Sequence, residues 1–236
     1  LLPHFIFKKG ILTFGNVKLN RESIKEFSNI GLPSFFSEVT FSIIIYLANI
    51  AIVKVVGEEG LAAYSIMNYL TTNVYMVLFG VAIGVQPLIS YNYGAKNKEK
   101  MLKFHKMTNI ACLIVNIVFT ATCFVFGREI IGVFTSNIEL IEMTYVGLNL
   151  MNLSFFPTGV NLAATIYYQA IEMPGKSNLI CALRSVIVFP ICLIILSLAL
   201  GADGIWVSTL VSESITIVVM ILVSNLKKST ELALGV

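Results

Sequence analysis

GVQPLISYNYGAKNKEK, residues 84–100, ends a long apolar segment with a proline and a set of amide and hydroxyl side chains, then runs into a basic loop. The 23 residues before it, 61–83, carry no formal charge, and about 20 apolar residues suffice to cross the hydrocarbon core of a bilayer. Gln86, Ser90, Tyr91 and Asn92 are costly against lipid, so this helix end is expected to face a protein interior or water. Lys96, Lys98, Lys100, Lys103 and Lys106 follow, and lysines clustered beside a span mark the cytoplasmic side. One stretch therefore supplies class, orientation and a candidate site region.

Outward from it, the composition agrees. The chain is 57% hydrophobic and 12% charged, against about 25% charged for a soluble domain. Six spans are read, at residues 30–56, 61–91, 107–126, 143–168, 179–200 and 205–224. With the lysine loop inside, Lys8, Lys9, Lys18, Arg21, Lys25, Lys176, Arg184, Lys227 and Lys228 fall on or near the same side. Lys54 and Arg128 fall outside, together with Glu58, Glu59, Glu129, Glu139 and Asp203. That asymmetry predicts a multi-pass protein of the inner (plasma) membrane with both termini of this chain cytoplasmic. The lysines flank apolar spans without interleaved aromatics, which fits topogenic charge and gives no nucleic-acid partner.

Cys112, Cys123, Cys181 and Cys192 fall inside spans with no CxxC spacing, and read as small packing residues. His4 and His105 lie far apart near membrane edges, so no metal site is expected. No signal peptide is found, and residues 1–7 resemble the tail of an earlier span, as in a piece of a longer protein. Residues 1–28 are read as that tail and a polar connector, with LNRESIKEF as a short surface helix, residues 29–228 as a six-helix bundle, and residues 229–236 as a tail. Pro33 stands near the start of the first span, where its missing N–H costs least. The later connections VGEEG, FGREIIG, EMPGKS and GADG are short, which makes neighbouring helices antiparallel.

Polar residues inside the spans are the candidates for chemistry. Ser34, Glu38, Ser42 and Asn49 share one stripe of the first span, with Phe41, Ile43, Ile44 and Leu47 around the rest. An ionised carboxylate near mid-membrane costs on the order of 3 kcal/mol, so Glu38 is suited to trade a proton for a cation; a protonated Glu38 in a helix-to-helix hydrogen bond is the structural alternative. Ser65, Asn68, Thr72 and Tyr75 share a face of the second span, and Thr158, Asn161, Thr165 and Tyr168 a face of the fourth; such groups also serve as interhelical glue. Pro87 and Pro157 weaken their helices and are read as hinges. Glu213 is a second intramembrane carboxylate, with Thr209, Ser212 and Thr216 around it. Arg184, one or two turns into the fifth span, is read as snorkelling to the interface, the alternative being a pair with an acid on another helix. No P-loop, GxSxG, or His/Cys/Asp cluster is present, so no enzyme is expected.

These residues resemble a known family. GVQPLISYNYGAKN is similar to the signature at the end of the eighth helix of multidrug and toxic compound extrusion (MATE) transporters. YYQAIEMPGKSNLICALRS, residues 167–185, resembles their tenth-to-eleventh helix junction; GADGIW followed by Glu213 resembles the start of the twelfth helix; GLPSFFSE resembles the seventh helix of bacterial members. The resemblance runs from Gly31 to Lys228. It implies an all-α integral membrane fold, a six-transmembrane-helix bundle that is one lobe of a twelve-helix, two-lobe transporter, with residues 8–28 as the link between lobes. The N-terminal lobe is then the missing partner, expected on the same chain.

The resemblance further implies efflux of organic cations and drugs by antiport against H+ or Na+ through alternating access, with no cofactor beyond that coupling ion. Glu38 matches the position of the seventh-helix carboxylate that contributes to coupling in several members, and Glu213 is the second ion-coupling candidate. The sodium-coupled members with a tenth-helix aspartate are not matched, since residues 143–169 contain no acid. Ser42, Asn49, Asn68, Thr72, Gln86, Asn161, Thr165 and Tyr168 are expected to line a substrate cavity. The alternatives are a lipid-linked precursor flippase of the same superfamily, which needs basic residues in its cavity, and a non-transporting membrane scaffold.

Overall fold

The computed structural model describes residues 20–234, and every regular element among them is helical. The order is α1 (Arg21–Val55), α2 (Glu58–Gly94), α3 (Lys98–Gly132), α4 (Ile138–Asn152), α5 (Phe155–Ala170), α6 (Pro174–Ala182), a π-turn (Leu183–Ile187), α7 (Val188–Leu200) and α8 (Ala202–Leu234). α1 begins at Arg21, inside the expected connector, and continues without interruption into the first span. The side chains of Pro33, Ser34 and Glu38 lie outside the described residues, so the Glu38 stripe has no structural account here.

Among the described residues four helices are long and apolar enough to cross a membrane: Glu58–Gly94, Lys98–Gly132, Pro174–Leu200 and Ala202–Val223. α1 contributes a shorter apolar helix, Ser42–Val55. The fourth expected span is two helices, α4 and α5, which meet at Leu153 and Ser154. Rows of large apolar side chains point outward, including Ile114, Ile117, Val118 and Val125 on α3 and Ile191, Ile194, Ile195 and Leu198 on α7. A soluble monomer rarely exposes so large an apolar surface; here lipid covers it.

Helix ends follow from local chemistry. Asn97 caps α3 by accepting the Lys100 N–H at 3.1 Å, and Asn137 caps α4 by accepting from Glu139 and Leu140. Lys96 and Glu172 take left-handed backbone conformations that close α2 and α5. Each lets a following N–H reach back five residues, Asn97 to Asn92 and Met173 to Tyr168. At the opposite end of the bundle Gly201 has φ +61°, and a Cβ on Gly204 would strike the Leu196 backbone, so the α7–α8 turn demands both glycines.

The core lies where α1, α2, α3, α4, α7 and α8 converge, on Ile52, Met67, Ile131, Leu148, Phe189 and Trp206. A second cluster joins α2, α3 and α5 through Val74, Leu78, Cys112, Phe155 and Leu162. All four cysteines are buried and none is in a disulfide, in keeping with a packing role. Gly159 lets α5 approach α3, since a Cβ there would sit 3.1 Å from the Cys112 Cβ.

The two expected hinges differ in setting. Pro87 sits inside α2, which continues past it to Gly94. Pro157 is the third residue of α5, just after the break, where a missing N–H costs least.

Candidate site at a buried ion pair

The fifth span determines the site. Pro190 has no N–H to give the Val186 carbonyl and crowds it. The strain is absorbed one turn earlier, in the π-turn, where the Val188 N–H donates to the Leu183 carbonyl five residues back. The extra residue rotates the register of α6 against that of α7. Leu183, Arg184 and Ser185 are buried while Val186 and Ile187 face outward.

Arg184 is 4% exposed and does not snorkel. Its helix starts at Pro174, ten residues before it, so Arg184 lies roughly 15 Å along the helix. The side chain turns into the bundle. It pairs instead with Glu213, itself 2% exposed, on α8. Nη2 and Nε donate to Oε1 at 2.6 and 2.8 Å, and Nε also to Oε2 at 2.9 Å. The Asn161 amide completes the set, donating to Glu213 Oε2 at 2.6 Å and to the Glu213 backbone carbonyl at 2.9 Å. Thr165, fully buried, turns its hydroxyl back to the Asn161 carbonyl at 2.8 Å. The network joins α5, the π-turn and α8, and its net charge is zero.

One side of this network walls a cleft inside the bundle. Ile44 and Ala48 of α1, Tyr64, Asn68, Thr71 and Tyr75 of α2, Ser154, Phe155 and Thr158 at the α4–α5 break, and Trp206 and Thr209 of α8 complete it. The wall is aromatic and hydroxyl-bearing, with Tyr64 and Trp206 stacked at 6.0 Å. Aromatic faces attract organic cations, most strongly where water is excluded.

The residues expected to share one cavity divide among three recesses. Asn68 lines the cleft just described, where the ion-coupling candidate Glu213 also lies. Asn49, Asn68 and Thr72 line a neighbouring recess between α1 and α2, with Tyr69 and Asn73. Asn161 and Tyr168 line a third recess among α5, α6 and α8, and Thr165 is sealed behind it. Gln86 is half-buried and Ser42 exposed, each outside these recesses. Arg184 and the aromatic wall were not among the expected site residues. A lone arginine within an apolar span is a signal for the first; the convergence of Tyr64, Tyr75, Phe155 and Trp206 needs the packing.

The comparisons with known proteins bear on the whole bundle. The MatE family model matches residues 33–194. Multidrug export protein MepA of Staphylococcus aureus (strain MW2) is 26% identical over 214 residues, 89% of this chain and 47% of that protein. MepA of Staphylococcus saprophyticus is 24% identical over 90% of this chain and 47% of its own length. The chain spans about half the length of the curated relatives it matches. Among solved structures, an outward-facing multidrug resistance MATE family transporter of the MOP superfamily matches with TM-score 0.84 at 19% identity, over 97% of this chain and 52% of that one. A MOP superfamily transporter from Pyrococcus furiosus matches with TM-score 0.82 at 18% identity, again over 97% and 52%. These likenesses show the fold: one helical lobe of a two-lobe, multi-pass membrane architecture.

Proposed function

The chain belongs to the MatE family, and from that premise we propose that it forms the C-terminal lobe of a transporter that exports organic cations and drugs. Export proceeds by antiport against H+ or Na+ and by alternating access, with the missing N-terminal lobe completing the pathway. The lysine-rich end, residues 96–106, faces the cytoplasm.

The observation that carries this reading is the Arg184–Glu213 pair beside an aromatic cleft. The Glu213 carboxylate neutralises the Arg184 guanidinium, so the pair presents no net positive charge to a pyrophosphate headgroup, which favours cation efflux over the lipid-flippase alternative. A proton taken up by Glu213 would leave Arg184 uncompensated and turn the cleft positive, against a bound cation. Because a ligand shifts an equilibrium only through its preference for one state, that change of charge links the two ligands. Glu38 stays the first proposed coupling carboxylate on sequence grounds, with Pro87 and Pro157 proposed as the points of bending.

The test uses the full-length gene product in everted vesicles of a pump-deficient bacterium. Fluorescent organic-cation uptake is followed under an imposed proton gradient, then a sodium gradient. Gradient-driven uptake, lost in Glu213→Gln and in Glu38→Gln at normal abundance, is the expected result. Correctly inserted protein that moves no tested cation under either gradient would favour the flippase.

A further inference from the structure

A furrow runs along the outside of the bundle with α5 as its floor. Among the described residues α3 and α8 each pack against α5 but scarcely against each other. Gly159 seats α5 closely against α3, while Val160, the next residue, stays 43% exposed in the gap. The furrow has a volume of about 580 Å³, within the roughly 300–1,000 Å³ of ordinary ligand pockets. Phe156, Pro157 and Val160 line its floor, Ile110 and Leu113 its α3 wall, and Ile217 its α8 wall. A smaller recess adjoins it at Val160 and Ile217 and continues past Ala164 and Ile221.

This face meets lipid. Ile110 opens the outward apolar row that continues through Ile114 and Ile117, whereas the exposed polar side chains Ser65, Tyr69 and Asn73 gather on the α1–α2 side. At its end nearest the lysine loop the furrow changes character and is lined by His105, Lys106 and Asn109. The His105 ring lies 4.6 Å from that of Tyr167, and its Nε2 meets the Asn109 amide at 3.3 Å, which holds this rim in place. Lys106 is exposed and makes no ion pair among the described residues. Between residues 96 and 106 five lysines stand against one acid, Glu99. From His105 the α3 wall runs roughly 12 Å to Leu113, from the charged edge into the apolar span.

One end is therefore cationic and the rest hydrocarbon-lined, which is the polarity of a phospholipid standing in one leaflet. The apolar part would accept any acyl chain, so the charge selects the headgroup. A zwitterionic headgroup brings its own ammonium beside the phosphate, and the lysines repel it. An anionic headgroup has no such group, and basic pockets between membrane helices hold headgroups of that kind. We propose that the furrow binds one anionic phospholipid of the leaflet on the lysine-rich side, with its phosphate at Lys106 and an acyl chain laid along α5 to Pro157. The second chain follows the adjoining recess past Ile217. The lipid packs on the helix whose Asn161 holds Glu213, outside the aromatic cleft, and the site does not depend on the antiport reading.

The test titrates the delipidated full-length protein in detergent with phosphatidylglycerol and, separately, with phosphatidylcholine of the same acyl chains. Native mass spectrometry reads the lipid retained. Wild type should retain one phosphatidylglycerol in clear preference to phosphatidylcholine. Lys106→Gln should lower the phosphatidylglycerol affinity about fivefold, the share of one lysine near a charged surface. Lys98→Gln removes the same charge roughly 12 Å further along α3, more than a Debye length away, and should leave the affinity unchanged. Val160→Trp fills the furrow from an outward-facing position and should abolish retention. Equal affinity for the two lipids overturns the site. So does an equal loss in Lys106→Gln and Lys98→Gln, which would make the attraction diffuse, or undiminished retention in Val160→Trp. Where Val160→Trp fails to insert, the comparison of the two lysine variants decides.

Discussion

Breaking the Arg184–Glu213 pair from one side should cost far more than removing it whole. In Glu213→Leu the guanidinium stays buried with its three contacts to the carboxylate gone, and Asn161 loses its acceptor at 2.6 Å. Removing one partner of a buried pair costs about 3–5 kcal/mol, whereas replacing both with apolar groups of similar volume is often neutral or better. Arg184→Met should cost less than Glu213→Leu, because a stranded carboxyl can take a proton and keep the Asn161 bond, while a stranded guanidinium stays charged. The double variant Arg184→Met/Glu213→Leu should recover most of the loss. For a folding unit of this size 1 kcal/mol shifts the unfolding midpoint by roughly 2–4 °C, so Glu213→Leu should fall by roughly 6–20 °C. The double variant should lie within a few degrees of wild type. Heating the purified protein in detergent and scoring the monodisperse fraction measures all four corners of the cycle. If the double variant loses the sum of the two single losses, the side chains act separately and the pair does not hold the bundle.

Three further outcomes follow from the geometry. Gly159→Val must push its methyls into Cys112 and the Asn116 amide, 3.1 and 3.3 Å from a Cβ; overpacking of that kind costs about 1–3 kcal/mol, so the midpoint should drop and Cys112→Ala should restore part of it. Trp206, the one tryptophan of the chain, walls the cleft. Its emission, isolated by subtracting the Trp206→Phe variant, should be quenched by a bound aromatic cation, and constant emission at saturation would place the ligand elsewhere. Arg128 and Glu142 form an exposed pair at 2.7 Å, in which the guanidinium's hydrogen bond holds the Glu142 carboxyl below the usual carboxylate range. Its contribution is present above the ordinary carboxylate pKa and fades as pH falls through the depressed one, so stability should be flat between about pH 6 and 8. Glu142→Gln should leave the midpoint at physiological salt unchanged within error.

The membrane character and the family were legible because both rest on local chemistry. An uncharged run over 61–83, lysines after it and short breaker-rich turns each act within a few residues. The caps at Asn97 and Asn137 are equally local. The division of the fourth span was only half legible. Pro157 signals a weakened helix, but the break falls before it, because a proline is easily accommodated near a helix start and cannot donate to Leu153. Asn116 carries no signal of its own in the sequence; its role in holding the Phe155 carbonyl depends on which helix faces α3.

Arg184 shows why the rest stayed hidden. Counted from the first strongly apolar residues of the fifth span, it lies one or two turns deep, and snorkelling is the cheaper fate there. The helix in fact starts at Pro174, about a turn and a half before those residues. The π-turn then turns it toward α8. Neither change alters hydrophobic periodicity enough to be seen in a sequence window. Both follow from prolines, one that opens the helix early and one at position 190 that forces the extra residue. A proline some four to six residues beyond a lone arginine in an apolar span is therefore a reason to look for an acid on a neighbouring helix. Here that acid was already visible as Glu213, the intramembrane carboxylate with no basic residue beside it in sequence.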